Sequence, residues 1–442
     1  MSGSSLLQPD DAEAIILRCV QPFTGQKAAD VEQVSLEKAC GRILATDIVS
    51  QLDFPHWDNS AMDGYAVRFE DVQSCSAEAP AVLEIVEEIP AGYQPQREVG
   101  IGQASRILTG AVMPAGADTI VIQEEAQRDG DRVTILSSPK SEAFVRHRAA
   151  FYEAGQTLLA AGTMISATEV AVLAAAQCVQ IPVFRRPKVA ILSTGSELVS
   201  PHQPLQPGQI VDSNQYALAA LLEEAGAEPI CCGIVEDTPE ALKKAIAHAA
   251  SQADMILSSG GVSVGDYDYV DRILAELGAT IHVRSVAVKP GKPLTVATLS
   301  RSDETGAVLT QASSESESSG SSKSFPVLYF GLPGNPVSAM VSFWRFAQLA
   351  LQKLSGIPEP WTLKWIQGRS RHDLRSGGQR ETYLWGTVQY IDGAYEFSLA
   401  TGGHSSGNLI NLSGMNALAV VPIGKKQVAA GESVRILRVH HG

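Results

Sequence analysis

Between residues 186 and 354, short apolar runs alternate with amphipathic helical stretches, and three of the apolar runs end in glycine-rich turns. Strands separated by helices must pair largely in parallel and be covered on both faces, so this alternation narrows the possible folds more than any other feature. Val189-Ala190-Ile191-Leu192, Met255-Ile256-Leu257 and Val327-Leu328-Tyr329-Phe330 read as buried strands. Residues 213–225 carry Leu218, Leu221 and Leu222 on one side of a helix. Thr238-Pro239 puts a capping residue before a proline at the first helical position, which opens a helix over 239–251. A further helix is expected over 337–354.

The three turns are Ser193-Thr194-Gly195-Ser196-Glu197, then Ser258-Ser259-Gly260-Gly261-Val262-Ser263-Val264-Gly265-Asp266, then Gly331-Leu332-Pro333-Gly334-Asn335-Pro336. Ligands of open α/β sheets bind beyond the carboxyl ends of the strands. Glycine lets backbone approach a ligand, and the following helix offers unpaired N–H groups to an anion. One such turn is only a turn, but three at equivalent strand ends point to a phosphorylated small molecule. Lys289-Pro290-Gly291-Lys292-Pro293 adds two ammonium groups on a stiff frame. A solvated loop is the plain alternative, and an anion site the reading favoured here. Glu197, Asp237, Asp266 and Asp268 crowd the same loop ends. Carboxylates beside phosphate suit a bridging Mg²⁺, although each could be a helix cap, Asp237 above all.

The flanks have a different texture. Helices are expected over 10–20, 35–41 and 168–177, and strands over 82–86, 119–122, 132–136, 382–390, 396–400 and 418–421. The organisation that follows is an irregular, discontinuous N-terminal domain (1–46 and 142–186) and an inserted small β domain (47–141). After these come the three-layer α/β domain (187–356), interrupted by a disordered Ser-rich loop over 302–324, and a C-terminal β-barrel-like domain (357–442). A formal charge of -14, from 34 basic and 48 acidic residues, argues against a nucleic-acid-binding face. No run approaches the roughly 20 apolar residues that span a bilayer, and the N-terminus lacks a signal-peptide pattern. Six scattered cysteines without a CxxC pair suggest reduced thiols and a cytoplasmic protein.

Together with Asn59-Ser60-Ala61-Met62-Asp63-Gly64-Tyr65-Ala66 and Leu108-Thr109-Gly110-Ala111, these loops and lysines occur in the order seen in one family. Over about residues 11–439 the chain resembles the molybdopterin molybdenumtransferases, the MoeA proteins and the E domain of gephyrin. The resemblance implies an elongated, four-domain homodimer whose cleft is completed by the second subunit. It implies insertion of molybdenum from molybdate into adenylated molybdopterin with release of AMP, assisted by Mg²⁺. Asp63 and Thr109 match the cleft residues of the small β domain. Glu197, Asp237 and Asp268 match the acidic set, with Asp237 and Asp268 as metal ligands, and Lys289 and Lys292 match the phosphate-binding lysines. Thr194, Gly195, Ser259, Gly260, Gly261, Ser263, Gly265, Asp266, Pro333, Gly334 and Asn335 match the loops that hold the pterin nucleotide. Arg380, Ser405 and Ser406 are candidates for the oxyanion. Contacts with the preceding adenylyltransferase and with acceptor molybdoenzymes are implied as well.

One segment departs from the family pattern. Where a glycine, a Ser or Glu, and an aspartate usually follow a basic run, this chain has Arg146-His147-Arg148-Ala149-Ala150-Phe151. An apolar ring cannot replace a carboxylate toward metal or polar substrate. A catalytically impaired, molybdopterin-binding carrier is therefore the alternative, with the adenylyltransferase, which needs only the α/β domain, behind it.

Overall fold

The computed structural model describes residues 6–260, 267–300 and 326–439. Two compact units form, one from residues 47–161 and 168–179 and the other from the remaining described residues.

The larger unit is built on a six-stranded sheet: β1 (Lys188–Thr194), β2 (Glu228–Val235), β3 (Met255–Ser259), β4 (Thr280–Ser285), β5 (Pro293–Leu299) and β6 (Val327–Leu332). Their order is β2-β1-β3-β6-β5-β4. The first four in that order pair in parallel, and β5 and β4 add an antiparallel edge. The mostly parallel sheet expected from the sequence is thus present.

Strand periodicity shows why both faces are covered. Val189 and Ile191 point into one core with Leu218, Leu221 and Leu222 of helix α1 (Asn214–Glu224). Ala190 and Leu192 point into the opposite core, against Leu242 and Ile246 of α2 (Pro239–Gln252) and Ile273 of α3 (Tyr267–Glu276). Strands buried on both sides read as unbroken apolar runs.

Past β6 the long helix is not continuous. It runs Pro336–Ser342, widens into a π turn over Phe343–Ala347, and resumes over Gln348–Leu354. The wider turn holds Arg345, 1% exposed, whose guanidinium reaches Tyr383 Oη and Asp10 Oδ1 at 2.9 Å each. Asp10 comes from the helix Pro9–Cys19, close to the 10–20 expected. The helix expected over 35–41 is only a 3₁₀ turn, Leu36–Lys38. The preceding residues Val31–Ser35 are instead claimed by an antiparallel strand, Gln180–Phe184.

The C-terminal strands Trp365–Ser370, Glu381–Ile391, Ala394–Leu399, Ala417–Val421 and Ser433–Arg438 close on themselves as a five-stranded barrel, because Glu381–Ile391 pairs with both Ala394–Leu399 and Ala417–Val421. The smaller unit holds another six-stranded sheet, in which Ala81–Ile89, Thr119–Ile122 and Arg132–Ile135 fall on runs read as strands.

No helix among the described residues is long and apolar enough to cross a membrane. All six cysteines are free thiols.

Candidate active site

Register brings the three glycine turns together. Ser193 of β1 is opposite Ser259 of β3, and Ser259 is opposite Leu332 of β6, so the chain leaves three neighbouring strands at one level. Between β1 and β3 the winding reverses, since β2 lies on the far side of β1. A crevice opens at such a switch point. Here it is a cavity of about 750 Å³, within the usual range for small-molecule sites. Thr194, Gly195, Glu197, Asp237, Ser259, Gly260, Pro333, Gly334 and Asn335 all line it.

The close approach of the turns explains Gly260. Its φ is +93°, and a Cβ there would lie 2.1 Å from the carbonyl oxygen of Thr194. Asn214, at the start of α1, ties the second turn to the third. Its Nδ2 donates to Ser259 Oγ at 2.7 Å and to the Gly334 carbonyl at 2.8 Å. The third turn does not leave its helix N-terminus wholly free: Val337 N–H donates to the Ser406 carbonyl at 3.1 Å.

Asp237 is not the cap of α2. Thr238 Oγ1 accepts from Ala241 N–H at 3.3 Å and does the capping, which leaves the Asp237 side chain on the cavity wall.

Lys289 and Lys292 line a second cavity of about 510 Å³ together with Arg380, Ser405 and Ser406. Backbone pairing builds it. The short strand Val288–Lys289 runs parallel to Glu381 and Thr382 of the barrel, and Arg380 Nη1 donates to the Val288 carbonyl at 3.3 Å. Residues about ninety positions apart thereby present four cations to one space, because Arg375 lines it too. The two cavities adjoin, sharing Pro293 and Ser338 on their walls. The sequence-derived set therefore divides into a carboxylate-bearing cavity at the glycine turns and a basic one beside the barrel.

In the smaller unit, Asp63 and Thr109 meet. Asp63 Oδ1 accepts both the N–H and the Oγ1 of Thr109 at 2.7 Å. These two hydrogen bonds hold the carboxyl below its ordinary range.

In the segment that departs from the family, Ala149 has φ +63°, so its backbone keeps the left-handed conformation that glycine serves best. Phe151 is 71% exposed, and its N–H donates to the Phe54 carbonyl at 2.8 Å.

Gly261, Ser263, Gly265 and Asp266 lie outside the described residues, as does the Ser-rich loop over 302–324. Asp268 falls on α3, without a described side chain. Among the described residues, no group of three or more His, Cys, Asp or Glu side chains could hold a metal unaided. Magnesium that shares its shell with phosphate needs only one or two carboxylates. Glu197 and Asp237 on the cavity wall fit that requirement.

Sequence reasoning missed Asp212, Asn214 and Arg375. Asp212 and Asn214 sit in Val211-Asp212-Ser213-Asn214, a polar turn before a helix that looks like ordinary capping, and Arg375 has no local pattern at all.

An α/β domain with a crevice at its switch point, adjoining a basic cavity beside a β-barrel, defines a binding fold for phosphorylated and anionic small molecules. Family models match along the chain: "MoeA N-terminal region (domain I and II)" over 7–176, "Probable molybdopterin binding domain" over 190–353, and "MoeA C-terminal region (domain IV)" over 367–439. The molybdopterin molybdenumtransferase of Nostoc sp. is 54% identical over 97% of this chain and 93% of its own length. That of Haemophilus influenzae is 31% identical over 99% of both. The crystal structure of the molybdopterin biosynthesis MoeA protein from Pyrococcus horikosii superposes with a TM-score of 0.78 at 27% identity, over 99% of this chain and 100% of that one. The chain belongs to the MoeA family of molybdopterin molybdenumtransferases.

Proposed function

We propose that this chain inserts molybdenum from molybdate into adenylated molybdopterin and releases AMP. The observation that carries this reading is the pair of adjoining cavities of opposite character, sharing Pro293 and Ser338. Insertion needs a nucleotide-activated pterin and an oxyanion held side by side, so that the dithiolene sulfurs can displace oxygens of molybdate. The cavity at the glycine turns is large enough for the pterin nucleotide. The Lys289, Lys292, Arg375 and Arg380 side chains offset a doubly charged tetrahedral oxyanion, and Ser405 and Ser406 offer it hydroxyl and backbone hydrogen bonds. Fixing both reactants turns a bimolecular encounter into a unimolecular step.

Asp237, with Asp268 as the second ligand expected from the family, would hold Mg²⁺, and Glu197 lies on the same cavity wall as Asp237. The ion would neutralise charge on the phosphoanhydride as AMP leaves. Gly261, Ser263, Gly265 and Asp266 complete the second glycine turn in this proposal. A homodimer is part of it too, in which the small β domain of a second copy supplies Asp63 and Thr109. The four-domain division, a cytoplasmic location and handover to acceptor molybdoenzymes belong to the same proposal.

Full-length protein given adenylated molybdopterin, molybdate and Mg²⁺ is expected to release AMP in step with cofactor formation. No AMP at any molybdate concentration refutes the reading. Light scattering tests the dimer separately: a monomer near 47 kDa at micromolar concentration refutes the shared cleft.

A further inference from the structure

Three carboxylates line the larger cavity, Glu197, Asp212 and Asp237, and no Lys, Arg or His among the described lining residues faces them. Glu197 and Asp237 are exposed, and water can satisfy them. Asp212 is different. It is 2% exposed, and its Oδ2 has no hydrogen-bond partner. Its position is fixed from both sides. Asp212 N–H donates to the Val199 carbonyl at 2.9 Å, and Oδ1 accepts from Gln215 N–H at 3.2 Å at the start of α1. Thr194, which lines the same cavity, is 4% exposed and its Oγ1 is also unpartnered. A buried carboxylate oxygen without a donor is costly, so a fold that keeps one on a ligand cavity is shaped for a donor carried by the ligand.

A carboxylate is best matched by two parallel N–H groups, since Oδ1 retains a second lone pair beside the free Oδ2. Adenine does not offer this, because its amino group lies beside a ring nitrogen that is an acceptor. The 2-amino-4-oxo edge of a pterin does, with the C2 amino group and N3–H side by side. A divalent cation is the competing occupant, and chelation distinguishes it from a pterin.

We propose that Asp212 reads the 2-amino-4-oxo edge of the pterin and sets the pteridine specificity of this site. The inference rests on the pterin reading of the cavity given above. It assigns the pterin ring to the wall formed by Asp212 and Thr194, and leaves the exposed Asp237 for the phosphate end.

The test is calorimetric titration of the full chain and of Asp212→Asn with three probes: 6-hydroxymethylpterin monophosphate, its 2-oxo (lumazine) counterpart, and AMP. The carboxamide keeps an oxygen for Gln215 N–H but presents one acceptor and one donor, which match the N3–H and C2 carbonyl of the lumazine. The wild type is expected to favour the pterin by at least about tenfold, and Asp212→Asn to reverse that order with AMP affinity unchanged. An unreversed preference in a folded variant overturns the proposal while leaving the activity reading intact. A wild type that binds both pteridines equally overturns it as well, which keeps the test decisive should Asp212→Asn fail to fold. Loss of the preference on adding EDTA assigns Asp212 to a cation and overturns it too. If the wild type binds AMP but neither pteridine, the pterin reading of the cavity falls and takes this inference with it. AMP release with the natural substrate judges the activity separately.

Discussion

Gly260→Ala tests whether contact between the glycine turns sets the geometry of the site. The added methyl would stand 2.1 Å from the Thr194 carbonyl oxygen and 3.0 Å from Thr194 Oγ1. Reaching ordinary contact requires the ends of β1 and β3 to separate by about 1.3 Å. The nearer neighbour is a backbone oxygen, which cannot swing aside as a side chain can, and Ser193 and Ser259 pair in register just before the turns. The φ of +93° adds strain of roughly 1–2 kcal/mol for an L-residue. Loss of the last ladder hydrogen bond adds about 1 kcal/mol, giving a total of roughly 2–3 kcal/mol. Function should suffer more than stability. A displacement of about 1 Å at a positioning element can cost on the order of 100-fold in turnover.

Gly278→Ala is the control. Its φ is +72°, yet nothing lies within 4 Å of the new Cβ, so it carries only the backbone strain. Thermal unfolding and AMP release on both variants separate the two effects. Gly260→Ala should lose about 100-fold in AMP release, and Gly278→Ala should lose stability alone. Wild-type turnover in Gly260→Ala, or equal losses in the two variants, refutes the reasoning.

Ala149→Gly should stabilise the protein by about 0.5–1 kcal/mol, because Ala149 has φ +63° and glycine enters that region without steric cost; chemical denaturation reads it. Replacing Ala149-Ala150-Phe151 with Gly-Glu-Asp should change AMP release by less than about tenfold, and a larger gain would favour the impaired carrier. Thr109→Val should raise the Asp63 carboxyl toward its ordinary value, seen by NMR titration, because both hydrogen bonds that depress it come from Thr109 and one is lost. In the wild type the contribution of that contact to stability is complete above about pH 4 and fades as pH falls through the depressed pKa. Lys292→Ala should raise the KM for molybdate by about 10- to 100-fold with a smaller effect on AMP affinity, as expected for one charge-assisted contact. Equal loss for both ligands would place Lys292 elsewhere.

Much of the α/β domain was legible in the residues, because strands buried on both faces leave unbroken apolar runs and helices leave one-sided ones. Val189 to Leu192 and the Thr238-Pro239 cap carry their structure in their own local pattern. The helix expected over 35–41 is only a 3₁₀ turn, and the strand just before it, Val31–Ser35, pairs with residues about 150 positions away, which no local propensity reports. The same limit governs the site. Glycine turns, the lysine frame and the Asp63 and Thr109 segments were found as local motifs, but only the folded chain joins Asp63 to Thr109 or Lys289 to Arg380. Asp212 and Arg375 had no local signal, since what singles them out is burial without a partner in one case and a shared cavity in the other. By itself the sequence determined the strands, helices and tight turns of the α/β domain whose pattern depends on neighbours within a few residues. The tertiary structure alone decided which charges share a cavity, since that depends on strand order and register across hundreds of residues.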